Sequence, residues 1–213
     1  MSYDESYARV PEFFGAEPDE LLVEHGALIG IDLPVLDVGA GQGRNALYVA
    51  RLGHAVDALE PSATGARQIA ETARATALPV RVLQQGFEDF LHPAHAYGAV
   101  LAFGVIPDLT REQVGTLLDR ARGWTARGGL LFLTGFTTED PSLAHWREQN
   151  QVGAASFVDG TGRIRTFLEP GEVLRLTRGF TPVFHREGLG PEHRHGDGPP
   201  ERHGRFEVVL RLR

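Results

Sequence analysis

The segment from Leu33 to Gly43 constrains the chain more than any other. Leu33 to Val38 is a short apolar run that enters Gly39-Ala40-Gly41-Gln42-Gly43, and Asn45 to Leu52 then places Ala46, Leu47, Val49 and Ala50 at helical spacing. This is the pattern of a strand, a tight turn and a helix. The rhythm continues downstream. His54 to Leu59 reads as a second strand, closed by Glu60 and Pro61, and Ser62 is placed to cap a helix over Ala63 to Ala77. Pro79 to Leu83 is a third strand, and Ala99 to Phe103 is wholly apolar, as a strand buried on both faces should be. Thr110, with Gln113 three residues on, opens a helix to Ala126 that Gly128-Gly129 is expected to end, and Leu130 to Thr134 is the next strand. Strands separated by single helices imply right-handed crossovers and a parallel sheet covered on both faces.

Past residue 136 the rhythm weakens. Pro170 to Arg178 reads as helical, while Thr181 to Glu187 and Phe206 to Leu212 read as strands without a helix between them, which predicts an antiparallel hairpin at one edge. Ahead of the first strand, Asp19 to Leu28 is a short helix and Tyr3 to Gly15 an irregular aromatic segment. The expected fold is α/β, a doubly wound sheet of about seven strands, mostly parallel, with an antiparallel C-terminal edge hairpin.

With 213 residues the chain suits one domain. It has no cysteine, which closes off disulfides, thiolate metal sites and a cysteine nucleophile. All 21 basic side chains are arginine, so Schiff-base catalysis and a lysine-bearing phosphate loop are excluded as well. A net charge of -7 argues against nucleic acid as a partner. There is neither a membrane-length apolar run nor a basic-then-apolar leader, and both features predict a cytoplasmic protein.

Glycines at 39, 41 and 43 let bare backbone approach a ligand at a helix N-terminus. The third arrives one residue too early for a dinucleotide fingerprint, with Arg44 in its place. Asp37 beside the turn would repel pyrophosphate and suits an ammonium group. Glu60, 21 residues after Gly39, stands where a carboxylate accepts from both ribose hydroxyls. The ligand expected is therefore one with an amino-acid end and a ribose but no pyrophosphate. For Asp37, capping of the turn's own amides is the competing reading.

The stretch VLDVGAGQGRNALYVARLGHAVDALEPS closely resembles motif I and the following acidic position of class I S-adenosylmethionine-dependent methyltransferases. Within that family it is most similar to the tellurite-resistance and thiopurine-methyltransferase-like group, as are the N-terminal YDESYARVPEFFGAEPDELL and the C-terminal His-Arg and His-Gly-Arg-Phe. The resemblance implies a Rossmann-like single domain over 1–213: an N-terminal lid and helix over 1–31, a cofactor-binding core over 32–136, and a substrate-side helix with antiparallel strands over 137–213. It implies S-adenosyl-L-methionine as cofactor, with Gly39, Ala40, Gly41 and Gly43 facing the methionine part and Glu60, followed by Pro61, holding the ribose. Gln84, Gln85, Gly86 and Phe87 would surround adenine. Where many relatives carry an aspartate for the adenine amino group this chain has Gln85-Gly86-Phe87, leaving Gln85, Glu88 or Asp89 for that contact and Phe87 as either an adenine cover or a core residue. Phe103 and Val105, at the end of the fourth strand, would line the reactive end of the cofactor.

Methyl transfer from a sulfonium requires alignment and water exclusion, and a base only when the nucleophile carries a proton. A chain without an evident catalytic dyad therefore predicts a small soft or anionic acceptor: a thiol, a tellurite- or selenite-like oxyanion, or a similar group. The tail GLGPEHRHGDGPPERHGRF fits no zinc spacing, so no metal is expected. Its residues are either solvated loop or, as the resemblance implies for His193 and Arg194, part of a cationic substrate-side wall with Arg44, opposite Tyr7 and Phe14. A nicotinamide-dependent oxidoreductase and a non-catalytic cofactor-binding module are the alternatives. The expected partner is a small-molecule methyl acceptor, neither nucleic acid nor membrane, for a monomer or homodimer.

Overall fold

The computed structural model describes residues 3–30, 32–192 and 200–213. Strands β1 (Val35–Val38), β2 (Val56–Leu59), β3 (Val80–Leu83), β4 (Tyr97–Ala102) and β5 (Thr125–Thr137) run parallel in the spatial order β3-β2-β1-β4-β5. Helices α1 (Tyr3–Arg9) and α2 (Glu20–His25) precede β1, α3 (Arg44–Arg51) and α4 (Ala63–Ala75) follow β1 and β2, and α5 (Arg111–Trp124) precedes β5. The strand-turn-helix grammar holds for the local reason anticipated. Ser62 caps α4 by accepting from the Gly65 amide, and Thr110 with Gln113 forms a complete capping box on α5.

The last third carries α6 (Leu143–Trp146), β6 (Asn150–Gly153), β7 (Ser156–Val158), β8 (Ile164–Leu168), α7 (Glu172–Leu176), β9 (Phe180–Leu189) and β10 (Gly204–Leu212). β10 pairs antiparallel with β5 and β9 with β10, so the expected edge hairpin is present. The described residues form ten strands, against an expected count of about seven. The additional strands are short and locally ambiguous. β8 joins the carboxyl end of β5 at Phe136↔Phe167 and Thr137↔Leu168, and β7 and β6 continue from it antiparallel.

Three further expectations change. Tyr3 to Arg9 is a helix rather than irregular, because it lies against α4 and satisfies that helix's first turn, a tertiary pairing that no local pattern reveals. No helix intervenes between β3 and β4, which a loop connects. Gly128-Gly129 does not end α5; both lie inside β5, where the strand crowds β4. A Cβ on Gly129 would sit 2.9 Å from the Gly98 carbonyl oxygen, at the point where the β4–β5 register shifts.

The sheet separates two apolar cores. One lies under α5 and α7, with Leu36, Val100, Leu117, Trp124 and Phe206; the other under α2, α3 and α4, with Leu21, Val49, Ile69, Leu101 and Phe132. A smaller cluster of Leu143, Trp146, Phe157 and Phe167 anchors the β6–β8 unit. Among the described residues no helix is long and apolar enough to cross a membrane.

Gly204 opens β10 with its Cα against the Asp140 backbone amide, and an added Cβ would lie 2.5 Å from the Glu139 carbonyl carbon. Backbone cannot rotate away. Gly204→Ala is expected to lower the unfolding free energy by about 3 kcal/mol, seen as a lower urea midpoint. Gly123→Ala, in open space within α5, is expected to be neutral or stabilising by about 0.5–1 kcal/mol. Equal midpoints for the two variants would refute the packing argument.

Candidate active site

The turn after β1 is a cradle of left-handed backbone. Gly39, Gly41 and Gly43 have φ of 67°, 60° and 90°. A Cβ would also collide at two of them, Gly39 with Val105 at 2.8 Å and Gly43 with Ile69 at 2.8 Å, and at Gly41 it would be crowded by the Tyr7 hydroxyl at 3.2 Å. Both conformation and space thus demand glycine. The turn is tied to β2 by two bonds, from the Ala40 amide to the Leu59 carbonyl at 2.9 Å and from the Gly41 amide to Glu60 Oε2 at 2.7 Å. Glu60 Oε1 accepts from the Ser62 amide at 2.8 Å. Glu60 is buried, and burial pushes it above the usual carboxylate range while these two amides hold it back. A carboxylate has about four acceptor sites, so capacity for two ribose hydroxyls remains.

Asp37 is 2% exposed, takes the Ala46 amide, and leaves Oδ2 sealed without a hydrogen-bond partner among the described residues. Burial, then the Glu60 carboxylate, push it up to about 7. An orphaned buried oxygen beside a side-chain-free cradle is what an ammonium-bearing ligand would complete. The residues present therefore fit a cofactor that combines an amino-acid end with a ribose.

Helix α1 lies over this cradle. Asp4 Oδ1 accepts from Ser62 Oγ at 2.7 Å and from the Thr64 amide at 2.8 Å. Gln68 donates to the Tyr7 carbonyl, Gln42 donates to the Val10 carbonyl, and the Phe13 amide donates to Gln42 Oε1. Gly65, in the first turn of α4, makes the approach possible: a Cβ there would be 2.6 Å from the Gly41 carbonyl oxygen and 3.2 Å from the Tyr7 ring. Tyr7 is buried, and Phe14 packs against it with ring centroids 6.3 Å apart.

The remaining expected positions distribute as follows. Phe103 is half-buried against Phe132, and Val105 touches the glycine turn. Gln85 and Gly86 are half-buried in the loop after β3 and Pro61 is exposed. Phe87 is 5% exposed inside the α5-side core, which makes it a packing residue. Arg44 is engaged with the N-terminal segment: its guanidinium donates to the Phe14 and Glu17 carbonyls and pairs with Asp19 at 3.7 Å. His193 and Arg194 lie outside the described residues.

A second group stands at the carboxyl ends of β4 and β5 and at the start of β8. Tyr3 of α1 donates to Asp108, which pairs with Arg165 at 3.1 Å; the Arg165 guanidinium lies over Phe136, and His203 stacks on the same ring at 4.3 Å. His203 Nδ1 is 2.9 Å from Asp140 Oδ2. The Asp140 side chain is fully buried, and despite burial its bonds from His203 and Ser142 hold it below the ordinary range. Asp108, Arg165 and Asp140 carry no local motif, and only the β5–β8 pairing brings them together.

A methyltransferase-domain family model matches residues 35–129. No curated protein matches the chain. Solved structures that resemble it include TehB from Haemophilus influenzae (TM-score 0.70, 20% identity, 90% of this chain and 61% of that one) and the CcbJ methyltransferase from Streptomyces caelestis (0.68, 18%, 99% and 96%). Another was reported for the conversion of a disulfide bond into a thioacetal group during echinomycin biosynthesis (0.71, 18%, 99% and 90%). Residues 35–129 thus match a methyltransferase domain, and the chain as a whole shares its fold with S-adenosylmethionine-dependent methyltransferases.

Because burial holds Asp37 above the ordinary aspartate value of 3.8, the folded chain keeps a proton that the unfolded chain releases. Its contribution to stability therefore falls as pH rises from 3.8 towards about 7. A bound ammonium reverses that bias by favouring the ionised form. Affinity for S-adenosylhomocysteine, measured by calorimetry, is expected to rise with pH through this window and level off above it. Asp37→Asn should flatten the profile and weaken binding about ten-fold or more. A wild-type profile that is already flat would refute the role.

Proposed function

We propose that the chain transfers the methyl group to a small soft or anionic nucleophile, a thiol or a tellurite- or selenite-like oxyanion. The observation that carries this reading is the apolar shelf at the end of β4. Phe103 is half-buried there, and Val105 lies against Gly39, so the surface next to the glycine turn offers shape rather than polar groups, with the polar Asp108–Arg165 pair set beyond it. The cofactor supplies an electrophilic methyl on a sulfonium. In the same reading Asp37 orients the ammonium and Glu60 the ribose. Tyr7 and Phe14, as part of a lid formed by residues 1–31, exclude water, which favours displacement by a soft nucleophile. Residues 32–136 bind the cofactor and 137–213 shape the acceptor side, within one domain.

A net charge of -7 supports a small-molecule acceptor over nucleic acid, and we place its action in the cytoplasm. The structural neighbour reported for thioacetal formation is consistent with sulfur as acceptor.

The test is transfer of radiolabelled methyl to thiophenol, 3-mercaptopropionate, tellurite, selenite and phenol. Labelling of the thiols or oxyanions in preference to phenol is expected, and phenol as the best acceptor would overturn the reading. Glu60→Ala should weaken S-adenosylhomocysteine binding by about ten- to a hundred-fold, the scale of charged hydrogen bonds. Unchanged affinity would remove Glu60 from the site.

A further inference from the structure

Arg165 on β8 is only 8% exposed, yet its charge is poorly matched. A guanidinium carries five N–H donors. Among the described residues only Nη1 is used, donating to Asp108 Oδ1 at 3.1 Å. Nε and Nη2 have no hydrogen-bond partner there, and neither is among the sealed polar atoms, so both still reach solvent. Two rings pack on the group, Phe136 at 5.2 Å and Trp146 at 5.7 Å from Cζ. The open donors Nε and Nη2 share one edge of the guanidinium, which favours approach of a ligand along that edge. Burying a cation so incompletely paired is costly, and an apolar side chain would fill the same space at lower cost.

The position is not remote from the chemistry. Asp108 closes the short 3-10 turn Ile106–Asp108 directly after Val105, whose side chain rests on Gly39. The same Asp108 accepts from Tyr3 of the lid, and Tyr3 stacks on Tyr7 above Gly41. Arg165 thus stands across the β4 shelf from the cradle, on the side left for the acceptor. With Arg44 engaged by Phe14, Glu17 and Asp19, Arg165 takes over the role of substrate-side cation among the described residues.

We propose that Arg165 anchors a carboxylate on the methyl acceptor, through in-plane bonds from Nε and Nη2, so that the substrates are small thiols bearing a carboxylate. A planar, two-oxygen anion matches both the edge-on access and the fork of donors. This inference rests on the methyl-transfer reading above and narrows its acceptor class. It also couples the lid to the substrate, because the carboxylate that steadies Arg165 is the one that Tyr3 holds.

The experiment titrates acceptor probes into the full chain saturated with S-adenosylhomocysteine. Two pairs differ in the carboxylate: 2-mercaptobenzoate with thiophenol, and 3-mercaptopropionate with 3-mercaptopropanol. Wild-type protein is expected to bind the carboxylate member of each pair about ten-fold or more tightly. Arg165→Gln and Arg165→Lys should both lose that preference, the second because it keeps the charge but not the fork, while S-adenosylhomocysteine affinity stays within about two-fold. If Arg165→Gln does not fold, Arg165→Lys alone decides. Absence of preference in wild type, including failure of every carboxylate probe to bind, overturns the proposal, as does a preference that survives substitution. Failure of wild type to bind S-adenosylhomocysteine would instead count against the methyl-transfer reading.

Discussion

The structure depends on a turn that must contain no side chains and must not collapse. Three consecutive odd positions, Gly39, Gly41 and Gly43, hold left-handed backbone against Val105, Tyr7 and Ile69, so the cradle is defined by what packs around it. One charged hydrogen bond fixes its height. Glu60 Oε2 takes the Gly41 amide and thereby links the end of β1 to the end of β2, while Oε1 begins the turn into α4. The residue we propose for the ribose is also the strut of the turn, so in that reading ligand recognition and local architecture cannot be varied independently.

Electrostatics around the cradle follow from burial. Asp37 and Glu60 are both buried acids, burial and the Glu60 carboxylate raise the cost of ionising Asp37, and Asp37 keeps an oxygen without a hydrogen-bond partner among the described residues. A protein that only had to fold would not retain this arrangement, because replacing an orphaned buried carboxylate by an apolar group is generally stabilising. The strain is relieved by a cation, which is why the acid beside the glycines argues for an amino-acid-bearing ligand.

Much of the cofactor side was legible along the chain because its elements are local. The apolar strand, the glycine spacing, Ser62 as a cap and the Thr110–Gln113 box act within a few residues of one another. The acceptor side was not. Arg165 and Asp108 are 57 positions apart, His203 and Asp140 63, and Tyr3 and Asp108 105. A loop pairing at such separations has no periodicity to read. Arg44 illustrates the same limit, since its place at a helix start suggested a substrate cation, whereas the carbonyls of residues 14 and 17 claim it.

Sequence alone therefore determined the α/β alternation, the antiparallel hairpin at the edge, the glycine cradle and the acids on either side of it, because hydrophobic period, capping and φ preference are properties of neighbouring residues. Tertiary structure decided that residues 3–9 form a helix laid across the cradle, that β6–β8 extend the sheet from the end of β5, and that Arg165 is paired with Asp108 while Arg44 fastens the N-terminal segment. Those outcomes rest on contacts between distant segments, in which the packing of Phe136 and Trp146 around one guanidinium, not its position in the chain, gives the residue its role.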